Sequence, residues 1–127
     1  MSELQPPVTE RDHAEGPATA RVTLVEYGDY ECPMCGQTHV AIKQAQQAFG
    51  PNLRFVFRHF PLRASHPHAL EAAKAAEAAA AQGRFWQMHD RLFQHQTQLD
   101  SESLVAHART IGLDLERFRR DLQAGEA

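Results

Sequence analysis

The sequence predicts an α/β fold, a strand–helix–strand unit followed by an all-helical segment. Three observations carry this. An apolar run, Val22-Thr23-Leu24-Val25-Glu26-Tyr27, precedes a stretch in which Cys35, Thr38, Ile42, Ala45 and Phe49 recur at alternating steps of three and four. A second run, Leu53-Arg54-Phe55-Val56-Phe57-Arg58-His59, places Leu53, Phe55 and Phe57 on one face, with Arg54 and Arg58 on the other and Val56 between them. Beyond Pro61 the apolar residues return only at helical spacing.

Taken in order, residues 1–20 read as a flexible N-terminal arm, polar and proline-bearing, punctuated by Gly16-Pro17 just before the first strand. Residues 21–127 read as one domain, with the strand–helix–strand unit at 21–61 and a helical subdomain at 62–127. The first strand spans about Val22–Tyr27, and the loop Gly28-Asp29-Tyr30-Glu31 leads to Cys32. The first helix runs to about Phe49, where Gly50 suits a C-terminal cap and Pro51 a stop. The second strand follows, and a strand–helix–strand crossover of this length is parallel and right-handed. Pro67 is placed to open a helix through the alanine-rich stretch Ala72–Ala81, since alanine is the best helix former and allows close packing. Gly83 interrupts or ends it, and Phe85, Met88, Leu92 and Phe93 mark the apolar face of the next helix. Ser101 is a suitable N-cap for another, closed by Gly112, and Asp114 for a last one bearing Leu115, Phe118 and Leu122.

Composition narrows the function. Of 127 residues, 43% are hydrophobic and 23% charged, as in an ordinary globular domain, and the net charge of −3 argues for neither nucleic acid nor a membrane surface. No apolar run approaches the ~20 residues a membrane helix needs. The first residues lack the apolar core of a signal peptide, so the expected location is cytoplasmic.

The chemistry lies in Cys32-Pro33-Met34-Cys35, where a strand hands over to a helix. A helix N-terminus presents unpaired N–H groups and partial positive charge, which favour a thiolate on Cys32. One turn along, Cys35 is near enough to close a disulfide ring with it. Pro33 suits the first turn, where its missing N–H would be unpaired anyway. Two cysteines do not make a disulfide-stapled scaffold. A metal site needs about four ligands, so His39, His59, His66 or His68 would have to complete it, and none shows zinc-finger spacing.

These residues resemble the DsbA-like branch of the thioredoxin-fold thiol:disulfide oxidoreductases. Glu26 followed by Tyr30-Glu31-Cys32-Pro33-Met34-Cys35-Gly36 looks like the family's active-site segment. Phe57-Arg58-His59-Phe60-Pro61-Leu62 looks like its second strand and exit. His66-Pro67-His68-Ala69, the alanine-rich helix and Gly83-Arg84-Phe85-Trp86-Gln87-Met88-His89-Asp90 look like its inserted helical domain. The resemblance covers about residues 12–124. The sequence departs from the family in that no cis-proline loop, strand pair and final helix follow the insertion, which predicts impaired substrate binding and activity. With only two strands expected, both edges of the sheet are open, which predicts either a homodimer through strand edges or marginal stability.

The resemblance implies thiol:disulfide exchange on protein or peptide substrates, with a redox partner and no cofactor. Cys32 would attack and Cys35 resolve. Glu26 would be a buried acid beneath the disulfide, handling the proton of Cys35; strand periodicity alone also allows a solvent-facing Glu26, though the otherwise apolar strand favours the buried role. Pro33 and Met34 would tune the site, and a neutral Met34, where strongly oxidising members carry histidine, implies a milder oxidant. Glu31 reads as a solvated loop carboxylate, His66 and His68 as a helix start, and Trp86 as helical-domain core. The alternatives are a truncated, non-catalytic binding or assembly module, and a metal-binding module.

Overall fold

The structure, a computed structural model, describes residues 7–62 and 64–124. Its elements are β1 (His13–Glu15), β2 (Val22–Gly28), α1 (Pro33–Phe49), a 3-10 turn (Gly50–Asn52), β3 (Leu53–His59), α2 (Ala69–Ala80), α3 (Phe85–Gln94), α4 (Ser101–Thr110) and α5 (Leu115–Ala124). The expected unit is present: β2 and β3 run parallel, with Val22 opposite Leu53 and Gly28 opposite His59.

The sheet corrects the expectation at its other side. It has three strands in the order β1-β3-β2, and β1 lies antiparallel to β3 with His13 opposite Phe57. The described part of the expected arm therefore carries a strand, and the packed unit starts before residue 21; residues 1–6 lie outside the described residues. The pairing is reinforced from the preceding turn, where Asp12 accepts hydrogen bonds from Arg58 Nε and Nη2 at 2.8 and 3.0 Å. β3 is thus interior, and the open edges belong to β1 and β2 among the described residues.

Residues opposite one another share a face, so Leu24, Glu26, Phe55, Phe57, His13 and Glu15 all point to the side covered by α1 and the helical segment. Phe55 and Phe57 are buried there among Tyr30, Ile42, Phe85, Met88, Leu92 and Phe93. The alanines of α2 let α3 and α5 approach closely, and Ala72, Ala75, Ala76 and Ala79 are fully enclosed. Trp86 stands against Phe85 and Phe55, at 4.9 and 5.7 Å between ring centroids, within the helical packing as expected.

The helix ends differ in detail from the sequence reading. α2 begins at Ala69, after His68 rather than at Pro67, and the N-cap position of α4 is Asp100, one residue before the expected Ser101. Asp114 does cap α5, accepting from Arg117 N at 3.1 Å. Towards the start of β2 the cover fails: Val22 and Leu24 are 57% and 39% exposed and form an apolar hollow with Ala45 and Phe49 of α1. No helix among the described residues is long and apolar enough to cross a membrane.

Candidate active site

Cys32 is the N-cap of α1, in extended conformation, with Pro33 opening the first turn and no acidic side chain in that turn. Its carbonyl accepts the Gly36 N–H at 3.1 Å, which starts the helix. Both cysteines are half-buried and free. Cys35 packs against the core, with its side chain in hydrogen-bond contact with Cys32. Burial is the main cause that pushes the Cys35 thiol up to about 11; a backbone hydrogen bond from Asp29 opposes it, and Cys32 and Glu26 add to it.

Glu26 lies two residues before the end of β2, on the face that α1 covers. Its Oε1 is buried and has no hydrogen-bond partner, and desolvation raises its carboxyl from the ordinary 4.5 to about 7. Such a group changes protonation near neutral pH, as a proton carrier must. Gly28 keeps the space beside it: a Cβ there would run into the Phe57 ring and approach Glu26 Oε2 to 3.1 Å.

The loop between β2 and α1 is held by groups that sequence patterning did not mark. Asp29 is 2% exposed and accepts three hydrogen bonds: Glu31 N at 2.8 Å on Oδ1, and Leu62 N at 2.9 Å and the His66 ring at 2.8 Å on Oδ2. Tyr30 is 1% exposed, with its hydroxyl 2.9 Å from His89 Nδ1. Burial, with positive neighbours, pulls the His89 imidazole down to about 2, so this pair is neutral. Glu31, read as a solvated loop carboxylate, also accepts from His68 N at 2.8 Å in an exposed hydrogen bond. Of the two histidines flanking Pro67, His68 occupies the N-cap position of α2 without a side-chain capping bond, and His66 braces the loop. An acidic residue shortly before a helix start is too common a pattern to single out Asp29.

Gln96, from the turn after α3, is the third clamp. Its amide donates to Tyr30 O at 3.0 Å and Cys32 O at 2.8 Å, and its Oε1 fills the place a Cβ on Gly36 would take. No sequence signal pointed to it. Gln96→Ala is expected to lower the thermal midpoint by several degrees, each lost bond being worth about 1 kcal/mol. It should also change the alkylation rate of Cys32, because the carbonyl it holds begins α1. Melting curves and iodoacetamide kinetics would check both effects.

Neither cysteine belongs to a convergent group of three or more potential metal ligands among the described residues.

A thiol pair at a helix start on a three-stranded α/β frame has clear counterparts. A family model described as thioredoxin matches residues 8–127. The chain is similar to a solved thioredoxin-like oxidoreductase from Silicibacter pomeroyi DSS-3, with 30% identity and a TM-score of 0.80 over 91% of this chain and 65% of that one. It shares its fold with the thiol-disulfide exchange protein alpha-DsbA2 from Wolbachia pipientis, with 23% identity and a TM-score of 0.78 over 91% of this chain and 61% of that one. Higher identity is found with a segment of the Na(+)/H(+) antiporter NhaA 1 of Mycolicibacterium gilvum, 48% over 120 residues, which is 94% of this chain and 19% of that protein. The namesake from Salinispora arenicola is 51% identical over 113 residues, 89% of this chain and 17% of that protein. The chain belongs to the thioredoxin family, and its fold is that of the DsbA-like thiol:disulfide oxidoreductases. It spans about a fifth of the length of the curated relatives it matches and just under two thirds of the solved neighbour.

Proposed function

We propose that this chain carries out thiol:disulfide exchange on protein or peptide substrates through Cys32 and Cys35. The observation that carries the reading is Cys32 at the α1 N-cap with the half-buried Cys35 one turn on, beside a strand that carries a desolvated Glu26 whose charge acts on the Cys35 thiol. The Cys32 thiolate attacks one sulfur of a substrate disulfide and the other leaves as a thiolate. Cys35, giving its proton to the Glu26 carboxylate, then attacks the Cys32 sulfur. The chain ends as a disulfide and the substrate as a dithiol; the reverse sequence oxidises a substrate, and the redox partner sets the direction.

Protein or peptide substrates are favoured by the rim of the site. Met34 is 72% exposed, and Phe60 and Leu62 stand out on the segment that bonds to Gly28 and Asp29 through Phe60 N and Leu62 N. The homodimer expected from open strands would have to use the outer edge of β1 or of β2. Ion exchange is not proposed, because about four fifths of each antiporter relative has no counterpart in this chain.

The test is mixed-disulfide trapping. Cys35→Ser is expected to accumulate a covalent adduct with a disulfide-bonded peptide, and Cys32→Ser to accumulate none; non-reducing gels and mass spectrometry would show it. Equal trapping by the two variants would reverse or remove the assigned order. A non-catalytic binding module would trap in neither.

A further inference from the structure

Outside the dithiol site, two histidines and a carboxylate converge from three different elements. His13 of β1 and His59 of β3 each direct Nε2 at the same oxygen, Oε2 of Glu77 on α2, at 2.7 and 2.8 Å. All three ligand atoms lie within 4.8 Å of one another. The rings are held in place by aromatic walls. His13 stacks on Phe85 with centroids 3.6 Å apart and planes 6° apart, while His59 stands edge-on to Phe57 at 5.4 Å. The three side chains are 25%, 22% and 50% exposed, so an ion can enter. Thiol exchange makes no use of these groups.

We infer that His13, His59 and Glu77 form a binding site for a divalent transition metal of the zinc type, with one coordination position left to water. Two imidazole nitrogens and one carboxylate oxygen are a donor set that suits zinc, and too nitrogen-rich for magnesium or calcium. Ligands around a tetrahedral zinc sit about 3.3 Å apart, given metal–ligand bonds near 2.0–2.1 Å. The present contacts therefore need to open by about half an ångström, a movement the exposed Glu77 side chain can make.

One feature sets the strength. Metal on Nε2 places the ring proton on Nδ1, and His59 Nδ1 is buried without an acceptor. Metal-bound histidines are usually supported at that second nitrogen, so micromolar rather than nanomolar affinity is expected. The bound ion would join the three-residue strand β1 to β3 and α2, so binding raises stability by mass action.

A second convergent group, His39, His89 and Asp90, makes a poorer site and a useful control. Lys43 Nζ already lies 3.0 Å from Asp90 Oδ1, and His89 is almost wholly enclosed.

The experiment titrates zinc chloride into the chain carrying Cys32→Ser and Cys35→Ser, so that thiolates cannot imitate the site. Calorimetry should give one ion per chain, with a higher thermal midpoint, and proton NMR should show zinc-dependent shifts of the His13 and His59 ring signals. His13→Gln and His59→Gln should each weaken binding by about tenfold or more, and His39→Gln should leave it unchanged. Circular dichroism without metal establishes that the variants are folded. Should His59→Gln unfold the chain, His13→Gln, on an edge strand, still decides. Absence of binding in the double-serine chain overturns the inference. So does binding that survives His13→Gln, or that disappears with His39→Gln.

Discussion

Replacing Asp29 with alanine is expected to destabilise the chain by about 3 kcal/mol, a large part of the 5–15 kcal/mol that holds a domain of this kind folded. The carboxylate is buried and accepts the Glu31 and Leu62 amides and the His66 ring. Alanine removes both acceptor oxygens, and with them all three hydrogen bonds, at once. A buried N–H left without a partner costs about 1–3 kcal/mol, and the two amides have no second acceptor at hand, whereas the more exposed His66 can turn to water. The loss should also reach the chemistry, because Asp29 is the joint between the segment before Cys32 and the segment carrying Leu62. Asp29→Asn keeps an acceptor oxygen and should lose less than half as much. Denaturant melts of the two variants, with Cys32 alkylation rates, would measure it. Equal stability of Asp29→Ala and the parent chain would mean that this joint is not what holds the loop.

Glu26→Gln is expected to move stability and activity in opposite directions. The carboxyl is raised from 4.5 to about 7 in the folded chain. Between those values the folded chain holds a proton that the unfolded chain has released, so stability falls as pH rises through that window and stays lower above it. Glutamine cannot ionise and escapes that loss. A shift of this size corresponds to ~3 kcal/mol at full strength, and the half-buried position reduces it to about 1–2 kcal/mol. The variant should therefore be more stable than the parent at pH 8 and equal to it at pH 4. Yet the step in which Cys35 resolves a mixed disulfide should slow by about tenfold or more at neutral pH, since its proton has lost its acceptor. Melts at the two pH values and single-turnover kinetics would separate these effects. A variant that is less stable at pH 8 would show that Glu26 is paired as an anion and is not a strained acid.

The parts legible in the sequence were those with periodicity or punctuation behind them. The run from Val22, the three-and-four spacing from Cys35 to Phe49, and the Gly50-Pro51 stop placed β2, α1 and β3 almost to the residue. The cysteine spacing located the thiol pair for the same reason: both are local properties of the chain. β1 was missed because His13-Ala14-Glu15 carries no strand signal of its own; it exists only because β3 offers it an edge and Arg58 binds Asp12 beside it. Asp29, Tyr30 and Gln96 were missed as supports of the site because each acts on a partner distant in sequence: Leu62 and His66, His89, and the carbonyls of residues 30 and 32. Long-range hydrogen bonds leave no period to read.

The strand order also dictates a sequence of events in time. Of the three strands β1 leaves the ribosome first, but its sole strand partner among the described residues is β3, which comes after β2 and the whole of α1. Contacts between distant segments form late, because the intervening loop must be closed before they return any free energy. The earliest-made strand is thus the last of the three able to find its place, and it waits as open chain until the crossover between β2 and β3 is complete.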